Sequence, residues 1–558
     1  IGKNAGTALT TGDSNVAIGW EALKTEDTHA NSVAIGASAL ATQNAGADAY
    51  NVAVGYNAGT ALTTGVDNIL IGGLAGDALT DADFNVAVGK IALATDTLGS
   101  RTTAIGYGAL QSQNFTSATA TYNTALGYNA GGSVTTGIRN TLIGGLAGDA
   151  LTDADLNVAI GYQALSADTL GSRSVAIGNQ ALLSQNFTSA TDAYNTAIGT
   201  DAGLLNTTGI QNTLIGGLAG DANTTGNFNT SLGYGSLSAN TTGAANVAIG
   251  YTALAANTTA NNNVAIGNGS MAANTTGTFN VAVGTATMGA NTTGGNNVAM
   301  GIAALDANTT GDENIGIGSN ALGANTTADA NTAIGGGALA TNTTGTNNAA
   351  VGRSALAANT TANHNAAFGS TALDSNTTGT QNTAVGSGAG QSNTTGSYNT
   401  TLGYAAHDAL TTASYNTAIG RYASLALVNG SSNTTVGSAA GSAISSGSNN
   451  TMIGYAAGDD LTTGGQNIII GSLANAGASG AAYRIIMGYN PTGGANDSFL
   501  IGRGSTDSQI AFGATSITAP SDIRLKEDIQ DEEVGLNFIN DLRPVTFQWK
   551  KEKDIPSD

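Results

Sequence analysis

Residues Asn246 to Asn262 read NVAIGYTALAANTTANN, and at Asn263 the chain begins again with NVAIG. Taking the glycine that closes each such phrase as a marker, steps of 17 run unbroken from Gly199 to Gly488. Upstream the marker recurs at Gly2, Gly19, Gly36, Gly55, Gly72, Gly89, Gly106, Gly127, Gly144, Gly161 and Gly178, where one spacing of 19 and two of 21 imply loop insertions. A fixed short period sustained this long indicates a solenoid, each repeat forming one turn that hides its apolar side only by stacking on its neighbours.

The turn reads as extended rather than helical. Val247 and Ile249 alternate with Ala248, the period-2 pattern of a strand, with Val247 and Ile249 expected on the core side. A second short strand is expected at Ala253 and Leu254, with corners at Gly250 and at 257–260, since Asn and Gly tolerate left-handed backbone. Proline, which cannot donate a ladder hydrogen bond, is absent from the first 490 residues. The fold class is therefore all-β, a parallel β-solenoid of 17-residue coils.

Composition agrees. Glycine supplies 80 of 558 residues, and charged residues are 9%, against about 25% in an ordinary soluble domain. Stacking explains the missing charge, because one residue type repeated in every coil forms a column at about 4.8 Å. A carboxylate column would accumulate repulsion, whereas an amide column gains hydrogen bonds up and down the stack. Asn206, Asn223, Asn240 and so on to Asn393, each followed by Thr-Thr, form such a column. About thirty coils give a rod roughly 140 Å long. One coil buries little, and the small Ala248 face would let a second chain approach closely, so an oligomer is expected.

A net charge of -21 argues against binding DNA or anionic lipid. No run reaches the roughly 18 apolar residues of a membrane span. The opening IGKNAG reads like the middle of a repeat, so any signal or anchor is expected outside it. No Cys is present, and no cofactor or metal is expected. His29, His364 and His407 are isolated from one another with no ligand-spaced partners, which argues against a zinc site, and read as turn residues. The GDALTDAD phrases at 76–83 and 148–155 lack calcium-loop spacing and belong to a 72-residue super-repeat, Gly55 to Gly127 to Gly199, expected to project as loops off the shaft. The N-T-T triplets match the glycosylation acceptor pattern, but corner geometry accounts for them. Tyr56, Tyr128, Tyr162, Tyr251, Tyr404 and Tyr455 follow the marker glycine, placed either to stack sugars or to cover bare backbone.

The phrases NSVAIG at 31–36 and SVAIG at 174–178 resemble the head repeats of trimeric autotransporter adhesins and many phage fibre shafts. That resemblance implies a left-handed parallel β-roll with three chains side by side, a homotrimer. The repeat here is longer than the adhesin one, which implies a wider coil.

From Ser521 the composition changes abruptly, with 16 of 38 residues charged against 37 of the 520 before them. Leu525, Ile529, Val534, Leu536 and Ile539 fall at roughly helical spacing ahead of a strand-like VTFQW, as in a small α+β module. Ser521, Asp522, Arg524, Leu525, Lys526 and Ile529, then Gly535, Leu536, Ile539, Leu542, Arg543, Pro544, Val545, Phe547 and Trp549, resemble the opening of the intramolecular chaperone of phage tail spikes and fibres, the S74 peptidase family. The resemblance covers these 38 residues, and the family domain continues well past the point where this chain stops. It implies a trimerising chaperone that folds the fibre and then cuts itself off between Ser521 and Asp522. The family's serine and lysine fall on Ser521 and Lys526. A serine hydroxyl needs a base, and a lysine serves only when burial depresses its pKa. The same residues could instead be plain surface positions of a small domain. Equal coils can slip past one another by a whole repeat at little cost, so a nucleus that aligns the chains meets a physical need.

The segment after Gly488 breaks the period, with the next marker at Gly502, and mixes Tyr483, Arg484, Tyr489, Asn490, Phe499 and Arg503, types favoured at binding surfaces. The sequence thus divides into a shaft at 1–477, an irregular end of the shaft or tip at 478–520, and the start of a chaperone at 521–558. The expected protein is a tail fibre or spike shaft for host attachment. It would lie on the virion, outside cells, and bind a host receptor that is a glycan and other tail proteins through residues before Ile1. The alternative is a trimeric adhesin fibre on a bacterial surface. Its one enzymatic activity would be single-turnover self-cleavage.

Overall fold

Each NVAIG-type phrase forms one three-residue strand. Val247–Ile249 pairs in parallel with Val264–Ile266 in the register Val247 to Val264, Ala248 to Ala265 and Ile249 to Ile266. The same pairing carries the chain from Val16–Ile18 to Ser498–Arg503. The computed structural model describes residues 1–504 and 507–514. Thirty strands form one sheet, and only the last, Ser508–Ala511, is antiparallel to its neighbour, so the described chain is a parallel β-solenoid of about 29 turns. No helix occurs among the described residues.

The strand faces the opposite way from the sequence expectation. Ala248 is fully buried, while Val247 and Ile249 are partly exposed. The interior of a coil is shared by the strand's middle residue with Ala253, Leu254 and Asn257, all buried. Leu254 and the Asn257 amide fill the section, leaving room for little more than a methyl group opposite. Where the middle residue is larger, a glycine makes way. A Cβ on Gly203 would lie 2.8 Å from Leu214 Cδ1, and one on Gly220 would lie 2.8 Å from Leu214 Cδ2. Both glycines occupy the place that Leu254 holds in its own coil, so volume is conserved by exchange between walls.

The rest of the coil differs from the expected second strand and corners. Residues 251–256 form consecutive turns, with Thr252 and Leu254 at φ 50° and 52°, and Asn262, just before the next strand, at 59°. Asn257 is not left-handed, so the reversals lie on either side of the N-T-T corner. The marker glycine is required twice over: Gly250 has φ 133°, and a Cβ there would sit 2.5 Å from the carbonyl oxygen of Gly267 in the next coil.

The amide column forms as the composition argument requires. Asn257 Nδ2 donates to Asn240 Oδ1 at 2.8 Å, and Asn240 Nδ2 to Asn223 Oδ1 at 2.8 Å, all of them buried. Asn393 Oδ1 ends the ladder without a donor, because Leu410 takes the place of the next amide. A second buried amide column, unforeseen from sequence, uses the Asn that opens each phrase: Asn263 N donates to Asn246 Oδ1 at 3.0 Å, and Asn263 Nδ2 to Gly277 O at 2.9 Å.

The GDALTDAD phrases do not project as loops. They form part of ordinary 17-residue coils, with Leu79, Ala82, Leu151 and Ala154 buried. The insertions lie elsewhere. In the two 21-residue coils, Thr119–Ala120 pairs with Gly99–Ser100 and Thr191–Asp192 with Gly171–Ser172, two-rung sheets beside the main one. A buried acid in the preceding coil anchors each. Asp96 accepts from Gln113 Nε2 at 2.6 Å, Phe115 N at 3.0 Å and Gly99 N at 3.1 Å, and Asp168 repeats the pattern with Gln185, Phe187 and Gly171.

Candidate functional site: the strand face and the C-terminal end

With the middle strand residue turned inward, the residue before each marker glycine faces out. From Ile18 to Ile501 that position is always Ile, Val, Leu, Met or Phe. Ile18 and Leu126 remain 41% and 45% exposed, as does Phe368 at 43%. Summed over the coils, the stripe exposes on the order of 10³ Å² of apolar surface, whereas the largest patch on a typical monomer is about 300–600 Å². That is the scale of a specific protein interface. The alternation was legible in sequence, but its inside and outside were not.

Aromatic rings flank the stripe. The tyrosines after the marker glycine are exposed, and several stack along the rod, Tyr107 on Tyr128 at 5.6 Å and Tyr234 on Tyr251 at 5.9 Å between centroids. Tyr398 and Tyr415 stack at 5.0 Å on the other flank, where Arg101 also lies 5.2 Å from the Phe84 ring centroid.

At the C-terminal end the rungs lengthen to six residues, Arg484–Tyr489 and Ser498–Arg503, paired in parallel. Of the six sequence candidates here, Tyr483, Tyr489, Asn490 and Arg503 are exposed, and Phe499 is half-buried. Arg484 is instead taken into the coil, where its guanidinium donates to Asn496 Oδ1 and to the Ala476 carbonyl, so it is not on the surface offered to a partner.

The histidines separate into three environments. His364 is an exposed turn residue. His29 is not isolated: Glu26, Asp27 and His29 bring ligand-type atoms within 4.8 Å of one another. Glu26 is fully buried, and it already accepts from His29 Nδ1 at 3.2 Å and Gln43 Nε2 at 2.9 Å. His407 is no turn residue on the surface. It sits in the core, in the place Leu254 holds in its coil, with Thr401 Oγ1 3.0 Å from Nδ1 and Nε2 unpartnered. Burial pushes its pKa down to about 3. Desolvation also raises the carboxyls of Asp77, Asp149 and Asp221 above the ordinary range.

Ser521, Asp522 and Lys526 lie outside the described residues. The family model for the chaperone of endosialidase matches residues 521–558. No curated protein and no solved structure matches the chain. The chaperone match and the solenoid together fit a tail fibre or spike and suggest a homo-oligomeric one. No helix among the described residues is long and apolar enough to cross a membrane.

Proposed function

We propose that this chain is the shaft of a homotrimeric phage tail fibre or spike that reaches for and attaches to a host cell, folded by a C-terminal chaperone that then cuts itself away. The observation that carries the reading is a long rod of near-identical rungs running into a segment that matches the chaperone of endosialidase. Such a rod invites slippage between chains, and a trimeric nucleus at its end removes that freedom. The apolar strand face supports trimerisation, because an object that covers so long and even a stripe must share its length and rung spacing, as further copies of the chain do. Ser521 acts as nucleophile and Lys526 as its base, with the cut between Ser521 and Asp522. Release leaves a fibre that is stable because unfolding is slow. Tyr483, Tyr489, Asn490 and Arg503 then stand near the new end, a surface suited to a host glycan, while other tail proteins hold the opposite end. The chaperone match favours the virion over the bacterial surface as its site.

The full-length gene product should run on a denaturing gel as a shaft band and a smaller chaperone band, and Ser521→Ala should leave one longer band. Cleavage that persists unchanged in Ser521→Ala removes that residue from its role. Fluorescent fibre should label host cells, and removal of residues 478–520 should abolish labelling. Undiminished labelling would place attachment elsewhere.

A further inference from the structure

The residue five places before each marker glycine has a left-handed backbone throughout the shaft, for example φ 57° at Asn296 and 59° at Asn262. Asparagine adopts that conformation at little cost, whereas a bulky side chain there is strained. Many coils accept the strain. Tyr50, Tyr122 and Tyr398 have φ 48°, 53° and 60° while leaving about half of each side chain exposed. The solenoid itself does not need them, since small residues serve in sister coils. Tyr398 stacks on Tyr415 and Arg101 lies 5.9 Å from the Tyr122 ring within the chain, yet these rings stay about half exposed, and backbone strain retained at exposed positions points to a role outside the single chain.

These three coils share a second feature. Each also has a tyrosine directly after its marker glycine: Tyr56, Tyr128 and Tyr404. Conversely, where a glycine follows the marker, the earlier position holds Asp67, Arg139, Gln211 or Ala330, never an aromatic. The two positions lie at opposite ends of one strand, six residues apart and separated by roughly 15 Å or more, so they cannot touch within a chain. In a ring of parallel chains joined through their strand faces, one edge of each chain meets the other edge of its neighbour, a heterologous contact that closes on itself.

We propose that the residue five before the marker glycine in one chain packs against the residue just after the marker glycine of the same coil in a neighbouring copy, and that the tyrosine pairs so formed lock the chains in register. This rests on the trimer reading above and deepens it. The partner is a second copy of this chain, since aromatic residues occupy both edges in the coils of Tyr50, Tyr122, Phe228, Tyr398 and Tyr483, while Tyr194 and Phe279 share their coils with Thr200 and Thr285, and the apolar stripe between the two edges has interface dimensions. Ring pairs across the contact add favourable stacking beyond their buried area. A slip of one coil would set Tyr56 against Asn31 or Asp67. The irregular placing of tyrosines thus supplies the register information that the regular core lacks.

The chain contains no cysteine, which permits a clean test. A disulfide needs Cα atoms within about 7 Å, so Tyr398→Cys with Tyr404→Cys can bridge only between chains. Under mild oxidation the full-length double variant should give a covalent trimer on a non-reducing denaturing gel, as should Tyr122→Cys with Tyr128→Cys. Tyr398→Cys with Tyr455→Cys, three coils apart, should give none. Reduced variants must sediment as the native fibre does, and either same-coil pair suffices if the other misfolds. Cross-linking of the offset pair in place of the same-coil pairs, or none in a protein that sediments as a trimer, overturns the register inference and leaves the trimer standing. Sedimentation of the native protein as a monomer overturns the trimer reading itself.

Discussion

Replacing one amide in the middle of the buried ladder tests the stacking physics where the chain is most regular. Asn308 Nδ2 donates to Asn291 Oδ1 at 2.9 Å and to Gly311 O at 3.0 Å, and Asn308 Oδ1 accepts from Asn325 Nδ2 at 2.9 Å. In Asn308→Ala, Asn325 keeps its bond to Ala328 O and Gly311 O keeps the Asn297 amide, but Asn291 Oδ1 is left buried with no donor. An orphaned buried acceptor costs about 1–3 kcal/mol, and a cavity of amide size adds about 1–2 kcal/mol. The expected local loss is therefore about 2–5 kcal/mol per chain. Asn308→Leu fills the space, as Leu410 does at the ladder's end, and should lose only the acceptor term of about 1–3 kcal/mol. Asn308→Asp faces a carboxylate toward Asn291 Oδ1 and should be the worst of the three at neutral pH. Hydrogen exchange resolves such local openings without global unfolding of the rod. Amides of the strands Val298–Met300 and Ile315–Ile317 should exchange about 30-fold faster or more in Asn308→Ala. Exchange within a factor of about 2 of the native chain would refute the view that the ladder carries stability.

Three further outcomes follow from the core. His407 has a folded pKa of about 3 against an ordinary 6.5, so the unfolded chain takes up a proton first as pH falls. Stability around it should be full above about pH 6.5 and fall by about 1.4 kcal/mol per pH unit down to about pH 3, a slope that His407→Leu should abolish in acid-melting curves. Leu214→Ala should cost about 2–5 kcal/mol through the void it opens, and adding Gly220→Leu, which restores the usual wall pattern, should recover part of that in thermal melts. Asp96→Asn turns one of three accepting contacts into a clash of donors with Gln113, whose own carbonyl is held by Asn123 Nδ2 at 2.9 Å, and should cost about 1–3 kcal/mol and loosen residues 111–123 to proteolysis.

The sequence disclosed the rung because a period of 17 sustained over the shaft has few physical explanations, and it disclosed the Asn206 to Asn393 ladder because repeated identity in a stack must be hydrogen-bonded. It did not disclose which side of the strand was inside. Alternation says that Val247 and Ile249 share a face, and the habit of placing larger apolar groups inward then misleads, since Leu254 and Asn257 already fill the coil. A usable signal was present in the exchange of Leu70, Leu142 and Leu214 at the middle position with glycines four residues after the marker. His407 was misread as a turn because a lone polar residue was not set in its column, where every neighbour is a core position. The C-terminal candidates were legible as types, but only packing shows that Arg484 is drawn inward by Asn496.

The central claim is that the rungs stack directly and turn their Val and Ile edges toward further copies of the chain. An electron cryomicroscopy reconstruction of the intact fibre examines both parts together. It should show rungs repeating at about 4.8 Å in three parallel chains, with the column through Ile249, Ile266 and Val283 nearest the fibre axis. Rungs at that spacing with this column facing solvent, or a single isolated chain, would contradict the account.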